Sequence, residues 1–172
     1  MSGPEVSGIE RRFRDDELIV SKTDIQGRIT YCNDVFLAIS GYTEAELVGK
    51  AHSVIRHPAM PRAVFKLLWD TIASGRELFA YVLNRCKNGD HYWVFAHITP
   101  DRDGDGTVVG YHSNRRTCEA KALAVITPLY ARLTEEEGRH ADRAAGLAAS
   151  SALLAHHLSE KGVSYDQFVL GL

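Results

Sequence analysis

The chain has 172 residues, of which 45% are hydrophobic and 24% charged, and its formal net charge is -2. This ordinary globular composition fits one domain of usual size with an appendage. Without a basic excess to neutralise phosphates, nucleic acid is not expected as a partner. No apolar run approaches the roughly 20 residues of a spanning helix, so no membrane segment is expected either.

The start of the chain and its cysteines suggest a cytoplasmic protein. The first residues, MSGPEVSGIERRFRDDE, have no apolar core and do not form a signal peptide. Cys32, Cys86 and Cys118 are far apart and odd in number, as expected of reduced thiols and not of a disulfide framework. We interpret residues 1–16 as a mobile N-terminal arm that becomes helical near Ile9–Phe13.

Two strands are predicted next, in Leu18–Asp24 and Arg28–Asn33, because both runs are rich in β-forming residues. Asp24–Gly27 between them predicts a tight turn. Several short helices follow. DVFLAIS has helical spacing and ends at Gly41, and TEAE begins like a capping box.

The segment SVIRHPAMPRAVF, residues 53–65, precedes the longest helix of this region. Pro58 favours an extended His57, and Pro61 fits the first turn of a helix, so the loop is predicted to be stiff. Apolar residues then recur near the helical period until Gly75 ends the helix.

Three further strands complete the predicted domain. Phe79–Cys86 and His91–Thr99 flank an Asn-Gly pair, which is a strong hairpin signal. A second hairpin turns at Asp103–Gly106 and returns through Val108–Asn114. Residues 17–117 are therefore predicted to form one α+β domain.

Residues 118–172 are predicted to be a C-terminal helical extension, since Ala and Leu dominate and strand formers become rare. One face of its first helix is apolar, comprising Leu123, Ile126, Tyr130 and Leu133. A second stripe alternates four and three residues apart, comprising His140, Ala144, Leu147, Ser151, Leu154 and Leu158. Such stripes pack on their own domain or form a homodimer contact, and both alternatives are open.

Two motifs suggest metal sites but do not fit them. Asp101, Asp103 and Asp105 resemble the start of a calcium loop, yet His112 stands where a bidentate Glu is required. The histidines lack the spacing of zinc ligands. No nucleophile elbow, P-loop or zinc-protease motif is found, so the protein is not expected to be an enzyme.

The order of the elements and several motifs together resemble a PAS domain. NDVF, SGYT, RHPxMP and NRxKNGDHYWV occur in this order, and residues 18–133 look like the PAS domain of bacterial aerotaxis receptors. The resemblance implies a five-stranded antiparallel sheet with short helices on one face, followed by C-terminal helices. It also implies non-covalent binding of FAD and redox sensing.

The resemblance carries over a set of cofactor-binding residues. They are Asn33, Arg56, His57, Phe65, Trp69, Asn84, Tyr92 and Trp93. The chemistry is suitable, since asparagine amides match the polar edge of a flavin, Arg56 offers a planar fork to phosphate, and the rings provide an apolar slot. The chain departs from the family at Ala59, where an Asp is usual, and at Leu78-Phe79, where a Trp is usual.

Each of these residues also has a simpler interpretation. Asn33 could serve as a helix N-cap, the aromatic side chains could fill a core, and Arg56 and His57 could be solvated. Tyr92 and Trp93 point to opposite faces of a regular strand and cannot both line one pocket.

The predicted function is that of a cytoplasmic PAS sensor that binds FAD and reports redox or oxygen state through its C-terminal helices to a signalling protein. The alternatives are a haem-binding gas sensor with His57 or another histidine as axial ligand, and a cofactor-free interaction module. Light-oxygen-voltage PAS domains form a flavin adduct through a Cys on the short helix that follows the Asn. This chain has RHPAMP there and no cysteine between Cys32 and Cys86, so such a photocycle is not expected.

Overall fold

The computed structural model describes residues 5–172. Its five strands are β1 Ile19–Asp24, β2 Ile29–Cys32, β3 Leu78–Arg85, β4 His91–Arg102 and β5 Val108–Arg116. Its six α-helices are α1 Asp34–Ser40, α2 Glu44–Leu47, α3 Arg62–Ala73, α4 Ala120–Gly138, α5 Arg143–Lys161 and α6 Tyr165–Leu170. A 3-10 helix spans His52–Ile55. The predicted order, two strands, short helices and three strands, is confirmed.

The strands form one antiparallel sheet in the order β2-β1-β5-β4-β3. All three predicted turns are present. Gly27 N–H donates to Asp24 O at 3.0 Å, and Gly106 N–H donates to Asp103 O at 3.0 Å. The Asn88-Gly89 turn joins β3 to β4, with Gly89 in the left-handed region at φ 93°. The antiparallel fold predicted from these turns is therefore confirmed.

Alternation along β4 separates the two faces of the sheet. Tyr92, Val94 and Ala96 are buried on the inner face, which packs beneath α3. Trp93 points to the outer face, where its ring centroid lies 6.1 Å from that of Tyr130 on α4. The short helices therefore cover the inner face of the sheet, and the C-terminal extension packs on the outer face.

The C-terminal helices pack back on the same chain. The apolar face predicted for α4 is confirmed, because Ile126, Tyr130 and Leu133 are buried, and the Tyr130 hydroxyl donates to Tyr81 O at 2.7 Å. Helix α5 packs on α4 and α3, and α6 packs on β3. Of the predicted heptad stripe, Leu154 is buried within these contacts.

The prediction of a helix near Ile9–Phe13 is wrong. This segment is extended, and its backbone pairs with the start of β4: Arg11 N–H donates to His91 O at 2.7 Å, and His91 N–H donates to Ile9 O at 2.9 Å. A one-turn helix is costly to nucleate, and the unpaired backbone of β4 offers hydrogen bonds at once. Residues 1–4 of the predicted arm are outside the described part of the chain.

Candidate functional site

A cavity of about 360 Å³ lies between the inner face of the sheet and the helices that cover it. Its walls come from the sheet, the 3-10 helix, the loop before α3, and α3 itself. The lining residues are Ser21, Thr23, Gln26, Gly27, Ala51, His52, Ser53, Ile55, Arg56, Phe65, Leu68, Trp69, Ile72, Val82, Asn84, Ala96, Ile98, Tyr111, Ser113 and Arg115. The volume and mixed lining are typical of a small-molecule site.

The loop from Arg56 to Pro61 is attached to the edge strand β3. The backbones of Arg56 and Asn84 form an isolated antiparallel bridge, and Met60 Sδ accepts a hydrogen bond from Leu83 N–H at 3.1 Å. The guanidinium carbon of Arg56 lies 4.0 Å from the ring centroid of Phe65 on α3, a cation–π contact. The stiff loop predicted from its two prolines thus brings a cation to the cavity wall.

Trp69 forms one side of the cavity where it opens to solvent, and 38% of this residue is exposed. Its ring packs edge-on against Tyr111, with 5.7 Å between centroids. On the other side it covers Gly27, where a Cβ atom would lie 2.7 Å from Trp69 Cη2. The glycine of the β1–β2 turn therefore serves two needs, a positive φ and room for the indole.

A polar cluster deep in the cavity was not predicted from the sequence. The Ser21 hydroxyl lies 3.2 Å from His52 Nε2 and accepts a hydrogen bond from Arg115 Nη2. Burial, together with the charge of Arg115, lowers the pKa of His52 to about 3, so the imidazole is neutral. Alternation along β5 places Arg115 on the same face as Tyr111 and Ser113, and this signal could have identified it.

Arg115 is a buried cation with few partners. It is 2% exposed, and within residues 5–172 its Nε and Nη1 atoms have no hydrogen-bond partner. The ring of Phe36, whose centroid lies 4.6 Å from the guanidinium carbon, offers this charge a cation–π contact. Burial lowers its pKa to about 10, which leaves the side chain charged at neutral pH. The Nδ2 atom of Asn84, also at the wall, is buried and forms no well-aligned hydrogen bond in the same range, although the Asn84 side chain interacts with the Tyr92 hydroxyl. Buried donors in this state are rare and suit a ligand that carries acceptors or negative charge.

Four of the eight predicted residues line this cavity, namely Arg56, Phe65, Trp69 and Asn84. The other four lie elsewhere. Asn33 caps α1, since its Oδ1 accepts hydrogen bonds from Phe36 N–H at 3.1 Å and Val20 N–H at 3.0 Å. His57 packs edge-on against His91 outside the cavity lining.

Tyr92 and Trp93 occupy opposite faces, as their alternation requires. Tyr92 is fully buried on the inner face but is not one of the residues that line the cavity. Burial raises the pKa of its hydroxyl well above the usual range. Trp93 packs on α4. A cofactor role for these eight residues stays a prediction, strongest for the four that meet at the cavity.

Metal binding finds no support between residues 5 and 172, where no group of three or more His, Cys, Asp or Glu side chains is arranged to hold an ion. Asp103 instead accepts backbone hydrogen bonds in its turn, from Asp105 N–H at 3.0 Å and Thr107 N–H at 2.9 Å. The same stretch of chain holds no helix whose length and hydropathy suit a bilayer.

Comparison with known proteins identifies the family. Residues 29–115, half of the chain, match the model of the PAS fold. The aerotaxis receptor of Escherichia coli (strain K12) is 42% identical over 129 residues, covering 75% of this chain and 25% of the receptor. The nitrogen fixation regulatory protein of Klebsiella pneumoniae is 27% identical over 97 residues, 56% of this chain and 20% of that protein. The chain thus spans a quarter or less of the length of these relatives.

Solved structures with the same fold include light-oxygen-voltage domains. The dark structure of the photoreceptor Aureochrome1 aligns with a TM-score of 0.57 at 23% identity, over 64% of this chain and 82% of that one. A domain studied with a flavin analogue also reaches 0.57, at 22% identity, over 72% and 87%. At these identities the likeness concerns the fold alone. The family model, which matches half of the chain, shows that the chain belongs to the PAS family.

Proposed function

We propose that this PAS domain is a cytoplasmic sensor, not an enzyme, that binds FAD without a covalent bond and reports redox or oxygen state. One observation carries the proposal: the cavity combines apolar walls with buried donors of Arg115 and Asn84 that form no well-aligned hydrogen bond within residues 5–172. A flavin ring is flat and apolar, with a polar edge rich in acceptors, and such donors suit that edge. The similarity to the aerotaxis receptor supports FAD in particular.

Different side chains of the cavity suit different parts of a flavin. Phe65, Leu68 and Ile72 offer apolar contact to the faces of a ring, and Asn84 and Arg115 offer donors to its edge. Arg56, closer to solvent, suits an anionic tail that leaves the cavity. The neutral imidazole of His52 adds a hydrogen-bonding group without adding positive charge.

A bound flavin supplies reversible electron transfer. Asn84 carries both a donor and an acceptor, so its amide can rotate to follow a change of charge at the ring edge. Its backbone pairs with Arg56 in the loop and with Tyr92 on β4, so a shift at Asn84 acts on both. We infer that the signal then reaches α4–α6, which contact the loop and the sheet, and passes to a signalling protein or a second copy of the chain.

The deciding experiment is an absorbance spectrum of freshly purified protein, repeated after reconstitution with FAD. Twin flavin bands that co-purify, with flavin fluorescence released on denaturation, are expected. A Soret band would identify a haem-binding gas sensor. His52 would then be the first axial ligand to test, since it lines the cavity and His57 does not. Protein that is colourless as purified and takes up no FAD would leave a cofactor-free interaction module and overturn the proposal.

A matched pair of variants tests the site. Asn84→Ala, at the cavity wall, should weaken FAD binding about tenfold, as expected for the loss of a buried hydrogen bond. Trp93→Phe, on the opposite face of the sheet, should change the dissociation constant less than about twofold. Equal effects of the two substitutions would contradict this location of the site.

A further inference from the structure

Glu137, near the C-terminal end of α4, contacts the first turn of α3. Its Oε2 accepts a hydrogen bond from Arg62 Nε at 2.9 Å, and its Oε1 accepts one from the Ala63 backbone N–H at 3.0 Å. The Glu137 side chain is only 7% exposed. One buried carboxylate of the C-terminal extension thus binds a side chain and a backbone group of the helix that forms the cavity wall.

Two further contacts reinforce this one. The Thr134 hydroxyl, which donates to Tyr130 O of its own helix at 2.9 Å, also lies 3.3 Å from Ala59 O in the loop, and Arg62 Nη1 donates to Arg143 O, at the start of α5, at 2.8 Å. We name the contact among Ala59, Arg62, Ala63, Thr134 and Glu137 the loop clamp. It attaches both the loop and α3 to the C-terminal helices.

The electrostatics of Glu137 favour α3 over its own helix. A carboxylate at the C-terminal end of α4 faces that helix's partial negative charge, which is unfavourable. The N-terminus of α3 carries partial positive charge and free N–H groups, and the N-cap residue Pro61 has no side-chain acceptor for them. Glu137 supplies that acceptor. Its burial is therefore favourable only while α4 and α3 are docked.

The other end of the same loop lies at the cavity. Arg56 pairs with Asn84 through its backbone and packs on Phe65, one turn beyond Arg62 along α3. Between Arg56 and Arg62 the chain contains Pro58 and Pro61, which restrict its backbone. A displacement at one end of so short and stiff a loop is transmitted to the other end, because few dihedral angles are available to absorb it.

We propose that Glu137 is a positioning residue that couples occupation of the cavity to docking of the C-terminal helices. When the loop clamp is closed, Arg56 and α3 are held in the arrangement that lines the cavity. When a ligand contacts Arg56 and Phe65, it also fixes the first turn of α3 in the position in which Glu137 binds it. By linkage the two effects are equal, so loss of the clamp weakens ligand binding by the factor by which the ligand strengthens docking. The identity of the ligand rests on the proposed function, but the coupling does not.

The test compares Glu137→Gln and Glu137→Ala with the control Glu135→Ala. Glu135 is on the same helix turn, and its exposed carboxylate pairs with Arg139 at 2.8 Å. Amide hydrogen exchange is measured first, without ligand, over the loop (residues 56–61) and over α4 and α5. We expect Glu137→Ala to speed exchange in both regions at least about fivefold, Glu137→Gln to have a smaller effect, and Glu135→Ala none.

The second measurement is the FAD dissociation constant of each variant. Glu137→Ala should bind at least about fivefold more weakly, and Glu135→Ala should equal the parent protein. Faster exchange confined to the first turn of α3, with an unchanged loop and unchanged FAD affinity, would show a purely local contact and overturn the coupling. If the parent protein binds no FAD, the proposed function fails, while the exchange experiment still decides the coupling. Should Glu137→Ala not fold, Thr134→Val takes its place, because it removes the polar contact to Ala59 O with little change of shape.

Discussion

Arg115 on β5 donates a hydrogen bond to Ser21 on β1, at the base of the cavity and within one sheet. The same serine hydroxyl lies 3.2 Å from His52. This buried guanidinium donates to one neutral hydroxyl and packs on the Phe36 ring, and two of its nitrogens have no partner within residues 5–172. These contacts repay only part of its desolvation energy. This cost is the strongest physical reason to assign the cavity to an acceptor-rich ligand.

Replacement of Arg115 should therefore weaken ligand binding without lowering the stability of the ligand-free protein. Arg115→Met fills a similar volume without a charge, and we expect the free energy of unfolding of the ligand-free protein to stay level or rise by about 1 kcal/mol. FAD affinity should fall at least about tenfold. Urea unfolding and a fluorescence titration measure the two, with the exposed neighbour Arg116→Met as control. A loss of several kcal/mol in the ligand-free state would mean that the protein itself satisfies Arg115.

The pH dependence of stability should report the neutral His52. Its pKa falls from an ordinary value of 6.5 to about 3 on folding, so between these values the unfolded chain binds a proton that the folded protein does not. The free energy of unfolding should therefore decrease as the pH falls below 6.5, by up to about 1.4 kcal/mol per pH unit from this group. His52→Asn should flatten the slope between pH 4.5 and 6.5, and His156→Asn, at an exposed site, should not. Parallel slopes for the parent and His52→Asn would refute the burial of a neutral imidazole.

Two glycines in similar turns separate backbone strain from steric contact. Gly27 and Gly106 both have positive φ, 77° and 82°, but only Gly27 is covered by Trp69. Gly106→Ala should cost about 1 kcal/mol of unfolding free energy from the backbone alone. Gly27→Ala should lower the free energy of unfolding by about 1 kcal/mol more than Gly106→Ala does, and it should shift the fluorescence of Trp69. Both variants are made with Trp93→Phe, so that the fluorescence reports Trp69 alone. Identical costs and spectra would show that the indole moves away freely.

Asn33 offers a test of its two interpretations. Asn33→Ala removes the acceptor for Phe36 N–H and Val20 N–H, and we expect a loss of about 1–2 kcal/mol in chemical unfolding. Asn33→Asp keeps that acceptor but loses the 2.8 Å hydrogen bond from Nδ2 to Leu18 O, so its loss should be smaller. If instead Asn33→Asp abolishes FAD binding at unchanged stability, Asn33 acts on the ligand and not only as a cap.

The sequence alone determined the order of the elements, because turns and helix ends are local. Gly27, Gly89 of the Asn88-Gly89 pair, and Gly106 each adopt the positive φ that their turn requires, and Asn33 and Gly41 begin and end α1 as their chemistry predicts. The stiff loop at Arg56 and its place near an aromatic pocket also followed from its prolines and from the PAS motifs.

Tertiary structure alone decided which side chains meet. Ser21 and Arg115 are 94 residues apart, and only the β1–β5 pairing brings them together beside His52. The arm near Ile9 follows the open backbone of β4 and not its own helical preference, and Glu137 acts on a helix 74 residues earlier in the chain. Local propensity is worth tenths of a kcal/mol per residue, whereas a buried charge or an unpaired backbone group is worth several times more, so long-range contacts determine the site.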